Sequence, residues 1–443
     1  MIENEGLKRE IGTWGLVANS VNITIGAGIF ILPVLVAERL GSGSIWAYVL
    51  CGLLMLLIML CFIEAGTSIT ITGGAYTYIE TAFGRYAGFL TASIFIFGAA
   101  IMANAAVANG LADTLSYFIP AFKELWVRIL FFAIMFGSLG YINVIGLKRS
   151  MAIVKFNTVA KLVPLLMIAI FGWFFIKSGD PLISSDNSLS DIGSTSLILL
   201  FAFVGAETAL NVSGEIKNPE RTIPRGILIS VILVVVLYIL IQLVVQSILG
   251  ASITAYRDAP LAETAKVMFG RAGAMIVVAG AAFSMFGNIS GMVLNMPRIL
   301  YAAARDRVLP SKSVAAIHPI FRTPYVAVII YSALGFIFAS VGEFRQLAIL
   351  SSASYLIIYL GVILSIIRFR ISGIKKEGLY RIPGGYLIPV VLVGAIIWVL
   401  SNLPVNELTA MGIFLLVVSL VYFGLVISRR YTRTGTPEDK NLS

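Results

Sequence analysis

Apolar runs of about twenty residues follow one another along almost the whole chain, from residue 13 to residue 428. A helix of that length crosses the ~30 Å hydrocarbon core of a bilayer. It also satisfies its own backbone polar groups, as hydrocarbon demands. The runs lie at approximately 13–37, 44–70, 87–118, 125–145, 151–177, 194–214, 225–249, 270–302, 324–341, 346–368, 387–403 and 409–428. They predict an all-α membrane protein with twelve transmembrane helices. The third and eighth runs are longer than a crossing needs and are expected to tilt. Only 12% of the residues are charged against 59% hydrophobic, and the mean hydropathy is +0.96. That is too little polar material to cover a water-facing surface, so residues 1–443 read as a single integral membrane domain. The start, MIENEGLKRE, has no short apolar core followed by a cleavage site, so the first run reads as a true span. ITAYRDAPLAETAKVMFG, before the eighth run, and TGGAYTYIETAFGRYAG, after the second, read as interfacial helices, with Gly73 and Gly74 forming a turn.

The formal net charge of +10 could suggest nucleic acid, but the basic residues sit in short loops between apolar runs, where topology signals lie. Twelve spans put both termini on one side. With the termini inside, 23 basic residues, among them Lys148, Arg149, Arg368 and Arg370, face the cytoplasm and 8 face outward. This predicts a multi-pass protein of the plasma membrane with cytoplasmic termini, a tail at 429–443 and lipid as its surroundings. The two cysteines, Cys51 and Cys61, lie ten residues apart in one run. That is roughly 15 Å along a helix, beyond disulfide reach. No cysteine near the third span offers a disulfide to an accessory subunit. The one histidine, His318, has no Cys or His partners for a metal site, so no metal is expected.

Two spans are interrupted. The first contains NITIGAGIFILP (22–33), with Gly26 and Gly28 at mid-depth and Pro33 beyond them. The sixth contains LLFAFVGAETALNVSG (199–214), with Gly205 central and Glu207, Thr208, Asn211 and Ser213 following. Such glycines can simply allow close helix packing. A broken helix, however, is tolerated in hydrocarbon where its freed groups face protein, ligand or water. Freed amides at the start of a half-helix suit a carboxylate, and freed carbonyls at the end of the other half suit an ammonium group. An amino acid presents both. Two interruptions five helices apart fit a pair of inverted five-helix repeats, at about 12–177 and 194–370, with peripheral helices at 387–428.

G-A-G-I-F with a following L-P (26–33), GGAYTYIETAFG (73–84), FAFVGAE (201–207), EIKNPERTIPRGI (215–227) and PRILYAAARDRVLP (297–310) resemble the amino acid–polyamine–organocation transporters, in order and at the expected spacing. The resemblance implies a LeuT-type fold: a 5+5 inverted repeat with helices 1 and 6 broken, plus two peripheral helices. It implies that the substrate carboxylate meets amides at Gly26, Ala27 and Gly28. The amino group would meet carbonyls of Thr24 or Ile25 and of Phe201, Ala202 or Val204, with Phe201 as an aromatic gate.

Lys161, in the fifth span, is the one basic residue that fits no membrane edge well. An intramembrane lysine is a functional hypothesis by default, and burial disfavours its charged form, which suits it to carry a proton. The resemblance implies that it stands where sodium-coupled relatives hold a sodium ion. It could titrate or act as a fixed charged tether. It could also snorkel, since it lies roughly 9 Å past Lys155. Glu207 matches a proton-sensing glutamate of the family's arginine/agmatine exchangers, with a structural hydrogen bond to neighbouring backbone as the alternative. Glu64 reads as a topology or gate residue. By the same alignment Asn104, Val107, Met292, Ser351 and Ser352 fall near the substrate side chain, although Asn104 could instead bond to a neighbouring helix. Met292 cannot stack a guanidinium as an indole can, and neither a further carboxylate nor an arginine marks the pocket, which tilts the expectation toward neutral amino acids.

A channel would need a polar path through the full depth, and an enzyme would need clustered nucleophile, base or metal ligands. No P-loop for nucleotide occurs. The expectation is a secondary amino acid transporter working by alternating access as a proton-coupled symporter, with no cofactor beyond the proton. An amino acid/amine or polyamine exchanger, or a transporter-like sensor, stands as the alternative.

Overall fold

The computed structural model describes residues 11–70, 73–145, 150–176, 188–257, 259–305, 309, 311, 313–321, 323–373 and 380–434. Residues 1–10, Lys148, Arg149, residues 306–308 of the PRILYAAARDRVLP motif and residues 435–443 of the tail lie outside them.

The described parts of the chain are predominantly helical. The helices are α1 (Thr13–Thr24), α2 (Gly28–Leu40), α3 (Ser44–Ser68), α4 (Ala75–Phe83), α5 (Arg85–Ser93), α6 (Ile101–Ser116), α7 (Leu125–Ile145), α8 (Ser150–Phe171), α9 (Leu189–Phe203), α10 (Pro219–Leu249), α11 (Pro260–Arg305), α12 (Tyr325–Val341), α13 (Phe344–Ile371), α14 (Leu387–Ser401) and α15 (Val405–Thr434). Apart from an isolated parallel bridge between Ile11 and Ile216, no β structure occurs among the described residues. That bridge ties the lead-in to α1 to the segment before α10, where Lys217 N–H donates to the Ile11 carbonyl at 2.9 Å.

Among the described residues seven helical stretches are long and apolar enough to cross a membrane. The shorter apolar helices include Ala160–Phe175, Leu189–Phe203, Tyr325–Val341 and Leu387–Ser401. The first expected span is divided between α1 and α2, and the sixth ends as an α-helix at Phe203 and continues as a 3-10 helix, Ala206–Glu215. The eighth run, 270–302, is helical along its whole length and is joined in α11 to the expected interfacial helix before it. That helix runs into the span across Gly270, whose φ of 67° bends α11 there. The expected interfacial helix after the second span is α4, which starts at the Gly73–Gly74 turn.

The third expected span is not uniform. A π-helical segment, Ile94–Ala100, separates α5 from α6. In a π turn the backbone carbonyls are displaced from regular α-helical partners, and here two of them accept side-chain donors. Ser351 Oγ of α13 donates to the Ala99 carbonyl at 3.0 Å, and the Tyr331 hydroxyl of α12 to that of Ala100 at 3.2 Å.

Helices α3, α6 and α13 are buried on most sides. By contrast, α7 and α15 turn Trp126, Ile134, Leu416 and Leu420 outward, each more than half exposed. An apolar outer face around a core that holds polar residues such as Lys161 and Glu207 is the expected arrangement for a protein solvated by lipid.

Candidate functional site

The break between α1 and α2 is short. Ile25 adopts an extended conformation (φ −78°, ψ 92°), and α2 restarts at Gly28. The Gly26 amide turns back onto the Thr24 carbonyl at 3.0 Å. The unpaired amides at the head of α2 therefore begin at Ala27, one residue later than the sequence suggested, because the tight turn uses the Gly26 N–H.

The carbonyls that end α1 are held by side chains from distant helices. Lys161 Nζ, on α8, donates to the carbonyls of Asn22 and Ile25, each at 2.8 Å. Ser284 Oγ, on α11, donates to the same Ile25 carbonyl at 3.2 Å, and Asn288 Nδ2 to that of Ile23 at 3.2 Å. Lys161 is 1% exposed and points at the break, so it does not snorkel to a membrane edge. With both lone pairs of Ile25 engaged, and Thr24 accepting from Gly26, the α1 side of the break is already well occupied. Nothing in the sequence of the eighth span had marked Ser284 or Asn288.

The second break is braced from within. Val204 is extended, and Gly205 takes φ 124° and ψ −30°, which a side chain rarely adopts. Both carboxylate oxygens of Glu207 accept from the Gly205 amide, at 3.1 and 3.0 Å. Thr208 Oγ1 donates to the Gly205 carbonyl at 2.6 Å. Glu207 is 2% exposed, and its carboxylate is the acceptor; the structural hydrogen bond considered above thus runs from backbone to side chain. No described residue outside α9 donates to the carbonyls of Phe201, Ala202 or Val204, so the end of α9 presents unpaired acceptors.

The two breaks touch. A Cβ added to Gly28 would lie 2.7 Å from both Cα and Cβ of Ala202, and one added to Gly205 would lie 3.2 Å from the backbone carbonyl of Ile23. Each break therefore seats against the other helix at a point where only glycine fits. This contact brings the amides heading α2 and the carbonyls ending α9 to one depth. The helix ends carry opposite partial charges, positive at the head of α2 and negative at the foot of α9.

Around this crossing, the Phe201 ring meets Phe344 of α13 edge-to-face, with centroids 5.6 Å apart. Gly110 of α6 sits against Ala27, Ile31 and Phe344. Val107, one turn earlier on α6, is buried, and Met292 is half-buried. Asn104 is fully buried, yet neither its Oδ1 nor its Nδ2 makes a hydrogen bond. The Tyr331 hydroxyl beside it donates instead to Ala100. Ser352 Oγ is also buried and unpaired, whereas Ser351 is committed to Ala99.

Glu64, at the Ser68 end of α3, is buried in an ion pair with Arg370 of α13, at 2.5 Å, and accepts from the Ile382 amide at 2.9 Å. It therefore pins α3, α13 and the segment leading to α14 together. Cys51 and Cys61 are free and buried.

The sequence model of the amino acid permease family matches residues 11–429. The chain is 30% identical over 440 residues to the serine/threonine exchanger SteT of Bacillus subtilis (strain 168), covering 96% of this chain and 98% of that protein. It is 22% identical over 455 residues to the branched-chain amino acid permease BcaP of the same organism, covering 97% and 95%. These relatives are carriers rather than enzymes, and the apolar helices agree with a multi-pass membrane protein. By sequence along nearly its whole length, the chain belongs to the amino acid permease family.

Proposed function

We propose that this permease is a secondary transporter of neutral amino acids, working by alternating access across the plasma membrane with both termini cytoplasmic. In this reading twelve spans form two inverted five-helix repeats and two peripheral helices. The observation that carries it is the crossing of the two breaks, with unpaired amides at Ala27 and Gly28 beside unpaired carbonyls at Phe201, Ala202 and Val204. A zwitterion matches that pairing, its carboxylate toward the head of α2 and its ammonium toward the foot of α9. Phe201 covers the site, and Asn104, Val107, Met292 and Ser352 face the substrate side chain. The unpaired amide and hydroxyl of Asn104 and Ser352 favour a small side chain that can exchange hydrogen bonds. The similarity to a serine/threonine exchanger agrees with a neutral substrate of that kind.

Lys161 is the coupling group in this reading. Its ammonium holds the end of α1, so a change in its charge would alter how firmly α1 is anchored to α8. Proton-coupled symport follows if that change accompanies transport. Obligatory exchange is the second reading, favoured by the similarity to an exchanger. There Lys161 stays charged and only the loaded carrier reorients.

Proteoliposome uptake of labelled serine, threonine, leucine, arginine and putrescine tests the proposal. Neutral amino acids should enter and the two cationic solutes should not. An inward proton gradient that accelerates serine uptake into empty vesicles supports symport. Uptake only into vesicles preloaded with unlabelled serine supports exchange. Uptake of putrescine or arginine alone would overturn the substrate assignment, and ligand binding without uptake would favour a sensor.

A further inference from the structure

Behind the second break, α3, α9 and α10 bring together polar side chains that the transport site does not use. Tyr48, Tyr238 and Gln242 are each fully buried, yet both tyrosine hydroxyls and Gln242 Oε1 make no hydrogen bond. The Tyr48 and Tyr238 rings pack on the same residue, Phe203, with centroids 6.3 and 5.2 Å away. Tyr238, Gln242 and Gln246 follow one another at four-residue intervals, so they share one face of α10. Gln242 Nε2 donates to Gln246 Oε1 at 3.3 Å, and Gln246 Nε2 donates to the Gly41 carbonyl at 2.7 Å, where the file reaches the surface.

From this geometry we infer that Tyr48, Tyr238 and Gln242 hold a small cluster of ordered water between α3, α9 and α10, entered from the Gly41 end. Buried polar groups in native proteins are paired with protein or water, and these have no protein partner. The cluster carries hydroxyls and an amide but no charge, so it matches a neutral ligand that both donates and accepts. Water does so, making about three hydrogen bonds when buried. An amino acid zwitterion would leave its charges unanswered here. The site braces Phe203, the last residue of α9 before the break. It does not depend on which solute is carried.

Synchrotron hydroxyl-radical footprinting of the full chain in nanodiscs tests the inference, because radicals form from bound water inside a protein. Tyr331 is the control, equally buried but with its hydroxyl committed to Ala100. Tyr48 and Tyr238 should be labelled several-fold more than Tyr331. Labelling at or below the Tyr331 level overturns the inference. Phenylalanine substitution gives a second readout. Tyr48→Phe and Tyr238→Phe should each lower the melting temperature, and the double variant should lose less than the two together, because the hydroxyls share water. A gain in melting temperature for either single variant would mean that a dry, unpaired hydroxyl had been removed, and would also overturn it.

Discussion

The two helix breaks solve one problem in opposite ways. The break after α1 is closed from outside: Lys161 of α8 and Ser284 and Asn288 of α11 hold carbonyls more than a hundred residues away in sequence. The break after α9 is closed from inside, by Glu207 and Thr208 within three residues of Gly205. A locally braced turn keeps its shape wherever its helix goes. A turn braced by other helices keeps its shape only while those helices stay in place. The first break is therefore the one that can report the arrangement of α8 and α11, whereas the second leans chiefly on its own residues.

The most severe test removes the contact on which the comparison depends. Gly28→Val places methyl groups where even a Cβ meets Ala202 at 2.7 Å. Overpacking of about 1–3 kcal/mol or more at the crossing should abolish measurable uptake, while fluorescence size-exclusion shows a protein that still reaches the membrane. Next comes Lys161→Ala, which leaves two buried carbonyls short of a donor. A penalty of about 1–3 kcal/mol predicts uptake lowered about 10- to 100-fold, with loss of any response to a proton gradient. Unchanged uptake and pH response would remove Lys161 from the coupling role.

The inner brace should behave differently. Glu207→Gln keeps an oxygen for the Gly205 amide, so uptake should fall only about 3-fold, well under 1.4 kcal/mol. Glu207→Ala leaves that amide unpaired and should lower the melting temperature as well as uptake, by about 1–3 kcal/mol. If Glu207→Gln proved as damaging as Lys161→Ala, the second break would not be the passive half. The smallest effect is expected for Ser284→Ala, about 0.5 kcal/mol or about 2-fold in uptake, since Lys161 still donates to the same carbonyl. Its effect should grow in a Lys161→Ala background, where Ser284 is the remaining side-chain donor to the Ile25 oxygen.

The sequence carried the outer brace poorly and the breaks well. GAG in the first span and Gly205 in the sixth are visible because they fall at mid-depth in two spans five helices apart, and Lys161 because a charge there is expensive. Ser284 and Asn288 carry no such mark: small polar residues are ordinary in membrane helices, and only the packing of α11 against α8 shows that they face Ile25. Glu64 drew notice for its charge, but its partner Arg370 is set by tertiary structure across 306 positions. The turn that engages the Gly26 amide with the Thr24 carbonyl is likewise not visible in the sequence. The π segment left no trace either, since IFIFGAA reads as unbroken apolar helix.

That segment has a consequence for how the chain can change over generations. Each residue advances an α-helix by about 100°, and a π turn is the footprint of one extra residue absorbed without breaking the rod. Everything on the α5 side of Ile94–Ala100 is thus rotated relative to α6 from where a plain helix would put it. On the α5 side, Tyr86 and Phe89 meet Tyr422 of α15. On the other, Asn109 of α6 reaches the Ala339 carbonyl of α12. Deleting a single residue between 94 and 100 would re-phase one half against the other and exchange its neighbours wholesale. A length change of one is therefore a larger event in this span than most substitutions, and relatives aligned without that gap will have their α5 contacts misread.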